Sequence, residues 1–264
     1  VNIDGKKIAE EILYDLSSMR NTLKPVIKLG VLMQEGNKAV DSFVRIKERA
    51  AERLRVAVVR EILPAGASTE EALTALKRLC KSADGVIVQL PLPSAIDTNA
   101  VLKTVPPKLD VDALGPAKHF LQAPVVEAIS DIFVRTGISA RGKKAVVIGA
   151  GRLVGAPVAQ FLRGLTAHVV VITDTHGSLE ELYDADIVVS GAGVPGLIEP
   201  QMLKKGVVLI DAGTSEASGK LMGDATPACA QVTSVFTPVP GGLGPIVVAM
   251  LFKNLFTLVG RAKF

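Results

Sequence analysis

Hydrophobic positions near the start of the chain recur with two periods. Between Lys6 and Met19, the apolar residues Ile8, Ile12, Leu13 and Leu16 have the spacing that lines one face of a helix. Val26–Met33 is instead a short apolar run, which reads as a strand. Helical spacing returns in the charged stretch Lys38–Leu54. Val56–Leu63 reads as a second strand, ended by Pro64-Ala65-Gly66. Ser68-Thr69-Glu70-Glu71 opens a helix reaching to about Cys80. Ser68 and Glu71 have the spacing of a capping box, in which each side chain accepts a hydrogen bond from the other's backbone N–H. Gly85–Leu90 reads as a third strand, running into Pro91-Leu92-Pro93. Strands alternating with helices predict a parallel sheet with helices on its faces.

Pro106-Pro107 interrupts this alternation, and an irregular stretch and a helix over about Pro124–Arg135 follow. Ala145–Ile148, Val169–Thr173, Ile187–Val189 and Val207–Ile210 then read as buried strands, with helical segments between them. The pattern therefore predicts an α/β protein in two α/β halves. Gly244–Val259 is a helix whose one charged residue is Lys253. A helix apolar on all sides is expected to be buried, here against the first half. No repeat of fixed short period is present.

The composition adds limits. At 264 residues with 48% hydrophobic and 21% charged positions, the chain can bury a sizeable core and is not a disordered polymer. Lys+Arg 30 against Asp+Glu 26 leaves +4, and the charges are interspersed, so a nucleic-acid partner is not expected. Trp is absent and aromatics are 4%, so a ligand site would rely little on stacking. No apolar run approaches the roughly 18 uninterrupted residues of a membrane span, and no signal peptide is read at Val1–Lys7, so no membrane partner is expected. Cys80 and Cys229 form neither a disulfide framework nor a metal cluster. Both read as core residues, and a cytoplasmic location is the expectation.

The first chemical signal is a glycine turn. The strand Ala145–Ile148 enters Gly149-Ala150-Gly151-Arg152-Leu153-Val154-Gly155-Ala156-Pro157. Glycines allow backbone to approach a phosphate, and a helix N-terminus offers unpaired N–H groups and a positive dipole. The third glycine lies six residues after Gly149, where the usual dinucleotide fingerprint has five. Asp174 ends the next strand, where an acid can accept hydrogen bonds from ribose hydroxyls. The turn also fits a tight strand–helix connection without ligand, and Asp174 also fits ordinary turn chemistry in Thr173-Asp174-Thr175.

Three further segments are more specific: Val88-Gln89-Leu90-Pro91-Leu92-Pro93, Asp110-Val111-Asp112, and Thr237-Pro238-Val239-Pro240-Gly241-Gly242-Leu243-Gly244-Pro245. With the glycine turn between them, they resemble the bifunctional methylenetetrahydrofolate dehydrogenase/cyclohydrolase family over nearly the whole chain. The resemblance implies two α/β domains with parallel sheets and a cleft between them: a folate-binding catalytic domain of residues 1–120 plus 245–264, and a Rossmann-like dinucleotide-binding domain of residues 121–244. It implies oxidation of 5,10-methylenetetrahydrofolate with NAD or NADP, hydrolysis of the methenyl product to 10-formyltetrahydrofolate, and a homodimer.

By resemblance Lys47 is the catalytic lysine, in Phe43-Val44-Arg45-Ile46-Lys47, where the family has Tyr-x-x-x-Lys. The i, i+4 spacing puts Phe43 and Lys47 on one helix face, and a desolvated lysine can lose its proton near neutral pH. Without the flanking motifs Lys47 would read as one more solvated lysine. Gln89 matches the family's glutamine at the strand end; it also fits a capping amide. Asp112 matches the second acid of the family's Lys-Asp-Val-Asp-Gly, with two acceptor oxygens suited to adjacent pterin donors; it also fits a loop acid, and Asp110 reads as structural. Pro240, Gly241 and Gly242 would line the substrate site or form a rigid turn. Gly149, Gly151, Arg152, Gly155 and Asp174 would bind the dinucleotide, and no metal is expected. Departures from the family pattern are Phe43 for Tyr, Leu109 and Ala113 flanking Asp110-Val111-Asp112, Pro124-Val125-Val126-Glu127 for Pro-Cys-Thr-Pro, Ala150-Gly151 for Arg-Ser, and Ile246-Val247 for Met-Thr. Loss of the arginine at position 150 favours NAD over NADP. Two other readings carry less: a degenerate member that binds folate or nucleotide with little turnover, and a two-domain dehydrogenase of a small carboxylic acid.

Overall fold

The structure, a computed structural model, describes residues 1–116, 120–165, 168–217 and 220–261. The chain divides into two units, Glu11–Pro124 with Val248–Phe264, and Val1–Glu10 with Val125–Val247.

The first unit is built from α1 (Gly5–Arg20, which begins among residues of the other unit), β1 (Ile27–Gln34), α2 (Lys38–Arg53), β2 (Val56–Leu63), α3 (Thr69–Ser82), β3 (Gly85–Val88) and α4 (Thr98–Thr104). Its sheet is parallel, in the order β2-β1-β3. The apolar run of β1 occupies the centre because all its residues but Lys28 and Gln34 are buried. The expected capping box starts α3: Ser68 Oγ accepts from the Glu71 N–H at 3.2 Å, and Glu71 Oε2 accepts from the Ser68 N–H at 2.8 Å. Ala72, Ala75, Leu76 and Leu79 of α3 then pack with Leu32, Val86 and Val88 of the sheet. Each such leucine contributes roughly 1.5–3 kcal/mol by leaving water. Between Pro93 and Pro106, where the sequence pattern predicts no element, lies α4, whose N-cap Asp97 accepts from the N–H groups of Asn99 and Ala100 at 2.9 and 3.1 Å.

The second unit contains α5 (Pro124–Thr136), β4 (Lys144–Ile148), α6 (Gly155–Leu165), β5 (His168–Ile172), β6 (Ile187–Ser190), β7 (Val207–Asp211), the hairpin β8 (Ser215–Ala217) and β9 (Lys220–Met222), and β10 (Thr233–Thr237). Five parallel strands stand in the order β10-β7-β6-β4-β5. One expectation is corrected here. Only α6 is an α-helix among the expected crossovers. The β5–β6 and β6–β7 connections carry the short 3₁₀ turns Leu179–Leu182 and Pro200–Met202. Pro195, Gly196 and Pro200 leave no uninterrupted stretch for a longer helix between β6 and β7.

By contacts alone, the first ten residues group with the five-stranded sheet. They belong to the second unit because Val1–Ile3 run beside β10: the Phe236 N–H donates to Val1 O at 2.9 Å and the Ile3 N–H to Phe236 O at 2.8 Å. The Gly5 N–H then donates to Gly241 O at 2.9 Å.

The last helix, α7 (Leu243–Arg261), is long and apolar enough to cross a membrane by length and composition. Of its most apolar stretch, 61% is buried within the protein. From Val248 onward it belongs to the first unit, as its apolar surface predicts. Phe252 and Leu255 are fully buried, and Asn254 Nδ2 donates to Val111 O at 3.0 Å and Gln122 O at 2.9 Å.

Candidate active site

The order β2-β1-β3 means that the chain leaves β1 on one side and returns on the other. Such a switch point opens a crevice beyond the carboxyl ends of the two strands. Gln89 is the first residue beyond β3, and its N–H donates to Leu32 O of β1 at 2.8 Å. Lys47 arrives from α2. Val40, Val44, Ala51 and Leu54 of that segment are buried, and Lys47 occupies the position that continues their stripe. That register, rather than chance, half-buries a lysine. Its Nζ donates to Gln89 Oε1 at 2.6 Å, while Gln89 Nε2 donates to Leu90 O at 3.0 Å. The two amide atoms therefore have distinct partners.

Asp112 enters from the segment beyond α4. The Val86 N–H of β3 donates to Leu109 O at 2.6 Å and the Val111 N–H to Val86 O at 3.3 Å. Asp110 is buried and its Oδ2 accepts from the Gly115 N–H at 2.8 Å, closing the loop, in keeping with a structural role. Asp112 is left to interact with Lys47. Desolvation lowers the Lys47 pKa, and the Asp112 charge partly restores it. Desolvation raises the Asp112 carboxyl to about 6, with the Lys47 charge opposing and the Asp110 charge adding. The cluster thus joins an amine that gives up its proton more readily than usual to an acid that holds its own more firmly.

Phe43 stands one helical turn before Lys47 and is 36% exposed. Installing a hydroxyl there, Phe43→Tyr, is expected to raise the rate of the methenyltetrahydrofolate hydrolysis that the resemblance implies, measured at neutral pH; an unchanged rate would show that Lys47 needs no phenol beside it. Ala113, where the family has glycine, holds φ +51°. A left-handed residue with a Cβ is strained by roughly 1–2 kcal/mol, less the entropy that glycine loses on folding. Ala113→Gly is expected to stabilise the protein by about 0.5–1 kcal/mol, read as a higher urea midpoint; a lower midpoint would refute the strain.

The glycine turn lies at the other sheet's switch point, since β4 has β5 on one side and β6 on the other. Gly149 holds φ +88°, and a methyl group there would come 2.8 Å from Gly191 O. Gly155 is the first residue of α6, and a methyl there would overlap Gly149 O. The third glycine thus lets helix and turn touch despite the extra residue in the spacing. Nothing lies within 4 Å of where a Gly151 side chain would begin. An open glycine cradle before a helix N-terminus fits a dinucleotide pyrophosphate. Arg152 is exposed. Asp174 is exposed two residues past β5, in a turn where Thr173 and His176 exchange backbone hydrogen bonds of 2.8 and 3.3 Å. Pro240, Gly241 and Gly242 follow β10, and a methyl at Gly242 would come 2.5 Å from Pro238 O.

Two family sequence patterns match the chain: the tetrahydrofolate dehydrogenase/cyclohydrolase catalytic domain over residues 3–112, and the NAD(P)-binding domain of the same family over residues 124–263. The chain belongs to this family. The bifunctional protein FolD of Halothermothrix orenii is 37% identical, covering 96% of this chain and 95% of that protein. A FolD methylenetetrahydrofolate dehydrogenase/cyclohydrolase structure from Campylobacter jejuni superposes with a TM-score of 0.93 at 28% identity, covering 99% of each chain. The Trypanosoma brucei enzyme complexed with NADP and an inhibitor gives 0.92 at 30% identity, covering 100% of this chain and 98% of that one. The dehydrogenase/cyclohydrolase fold also contains two residues that sequence reading passed over, the buried Asp211 and Asp224. Their signal was a charged residue closing the wholly apolar run Val207–Ile210, and an acid directly after Gly223.

Proposed function

We propose that this chain oxidises 5,10-methylenetetrahydrofolate with NAD(P) and hydrolyses the 5,10-methenyl product to 10-formyltetrahydrofolate. The observation that carries this reading is Lys47 held by Gln89 beside Asp112, within a chain of this family. In the first step the substrate loses a hydride and becomes the methenyl cation. When bound, the dinucleotide supplies the hydride acceptor. In the second step water adds to the methenyl carbon, one C–N bond of the bridge breaks, and a proton is released. Lys47 Nζ, with its proton destabilised by burial, accepts the proton of the adding water. Gln89 Oε1 fixes the position of Nζ. The two oxygens of Asp112 accept from the adjacent ring N–H and amino group of the pterin. Gly149, Gly151 and Gly155 would hold the pyrophosphate against the α6 N-terminus. The reading is tested by following NAD(P)H formation from methylenetetrahydrofolate and decay of the methenyl absorbance in one reaction; absence of both signals overturns it.

The cofactor is proposed to be NAD in preference to NADP. Ala150 and Gly151 offer no cation for a 2′-phosphate, and Asp174 would accept from free ribose hydroxyls and repel a dianion. Arg152 and His176 are the groups that work against this choice. The kcat/KM with NAD is expected to exceed that with NADP. A tenfold preference for NADP would show that a basic side chain has taken over the phosphate. We further propose a homodimer, as the family resemblance implies, which light scattering tests, and a cytoplasmic location, in keeping with the free thiols of Cys80 and Cys229.

A further inference from the structure

The second unit encloses two carboxylates that the reaction steps above do not use. Asp224 is fully buried. Its Oδ2 accepts from Ser190 Oγ at 2.6 Å, the Ala192 N–H at 2.8 Å and the Gly193 N–H at 3.3 Å, and its Oδ1 accepts from the Val194 N–H at 2.8 Å. All four donors belong to one five-residue segment leaving the carboxyl end of β6. Asp211, also fully buried, closes β7. Its Oδ1 accepts from the Gly213 and Asp224 N–H groups at 2.9 and 3.1 Å, and its Oδ2 from the Ala225 N–H at 2.9 Å. Asp211 therefore holds the backbone of Asp224, and Asp224 holds the segment Ser190–Val194.

The two acids are packed reciprocally. A methyl group at Gly213 would overlap the Asp224 carboxylate, and one at Gly223 would overlap the Asp211 carboxylate. The clamped segment abuts the glycine turn. The Gly191 N–H donates to Ile148 O at 2.9 Å, Gly191 O lies 2.8 Å from where a Gly149 side chain would begin, and a methyl at Gly191 would come 2.7 Å from Val154 Cγ1. Successive N–H groups that converge in this way form an anion-binding concavity. Here the chain's own carboxylate fills it, so these donors are committed internally, and the wall beside Gly149 has one conformation to offer.

We infer that Asp224, held by Asp211, is a positioning residue for dinucleotide binding: it fixes Ser190–Val194 as the wall of the glycine turn. The inference rests on the dinucleotide reading given above. Because the clamp touches the backbone of the turn's neighbour rather than any group that distinguishes a ribose hydroxyl from a phosphate, its loss is expected to weaken NAD and NADP by the same factor. Hydrolysis of the methenyl compound, assigned to Lys47, is expected to be unaffected.

The test measures calorimetric affinities for NAD and NADP and the rate of methenyltetrahydrofolate hydrolysis in the parent, Asp224→Asn, Asp224→Ala and Ser190→Ala proteins. Asparagine keeps one acceptor oxygen and alanine keeps none. Both dinucleotide dissociation constants are expected to rise at least fivefold in Asp224→Asn and further in Asp224→Ala, with hydrolysis within twofold of the parent. Ser190→Ala is expected to raise both constants at least threefold. If Asp224→Ala does not fold, Asp224→Asn and Ser190→Ala decide the matter. Dinucleotide affinities within twofold of the parent in these folded variants overturn the inference, as does a parallel loss of hydrolysis, which would mark a general structural defect. A parent protein that binds neither dinucleotide overturns the cofactor reading itself, and the inference with it.

Discussion

Lys47→Met is expected to remove methenyltetrahydrofolate hydrolysis above the spontaneous rate. A positioned proton acceptor contributes roughly 10²–10⁴ in rate, so the loss should be at least about a hundredfold. Methionine suits the substitution physically. It is unbranched and only one atom shorter than lysine, carries no charge, and sits in the inward stripe of α2 where Val40 and Val44 are already buried. The fold is therefore expected to stand, checked by the thermal midpoint and by folate affinity. The hydrolysis rate, corrected for the uncatalysed reaction, is the measurement. Turnover equal to the parent's would remove Lys47 from the reaction and leave its bond to Gln89 as packing.

Asp112→Ala is expected to weaken folate binding by roughly ten- to a hundredfold, since a hydrogen bond to a charged group contributes roughly 1.5–3 kcal/mol. The pH dependence has a defined sign. The carboxyl titrates at about 6 in the folded protein, so it is ionised at neutral pH, and affinity should fall as the pH drops through that value. Stability runs the opposite way. A carboxyl whose folded pKa is raised above its ordinary value of 3.8 favours the folded state when protonated, and that contribution disappears as the pH rises through about 6. Asp112→Asn should therefore melt higher than the parent at pH 7.5 while binding folate less well. A lower melting point, or folate affinity within about twofold, would mean that the acid is there to hold the loop.

How much of this was legible depended on whether neighbouring residues or distant ones decide the structure. β2 begins and ends where the apolar run does, and α3 starts at its capping box, because both signals lie within a few residues. β10 escaped notice because Thr233-Ser234-Val235-Phe236-Thr237 has few apolar positions. It is a strand through pairing with β7 on one side and Val1–Ile3 on the other. The pairing of Val1–Ile3 with β10 is equally invisible locally, because its partners lie more than 230 residues away along the chain. In the candidate site, Lys47, Gln89 and Asp112 stand out by motif, and only the fold shows that α2 brings Lys47 onto Gln89 at the end of β3 and that the loop after α4 sets the Asp112 charge against Lys47. Asp211 and Asp224 were passed over because a buried acid is defined by its donors, which lie on segments 13 to 34 residues away as well as beside it.

The placement of α7 carries a consequence for the order in which the protein can be made. Asn254 satisfies the carbonyl of Val111, 143 residues earlier, and Leu255 lies against Gly85 at the start of β3. During synthesis the first sheet emerges from the ribosome long before these partners exist. Its apolar surface must wait, incompletely covered, while the whole dinucleotide-binding half is translated. At roughly 5–20 residues per second this interval lasts on the order of ten seconds. A ribosome stalled before Val248 should therefore display a first unit open to proteases and to chaperones that bind exposed apolar chain, with protection gained only once the remaining residues of α7 have cleared the exit tunnel.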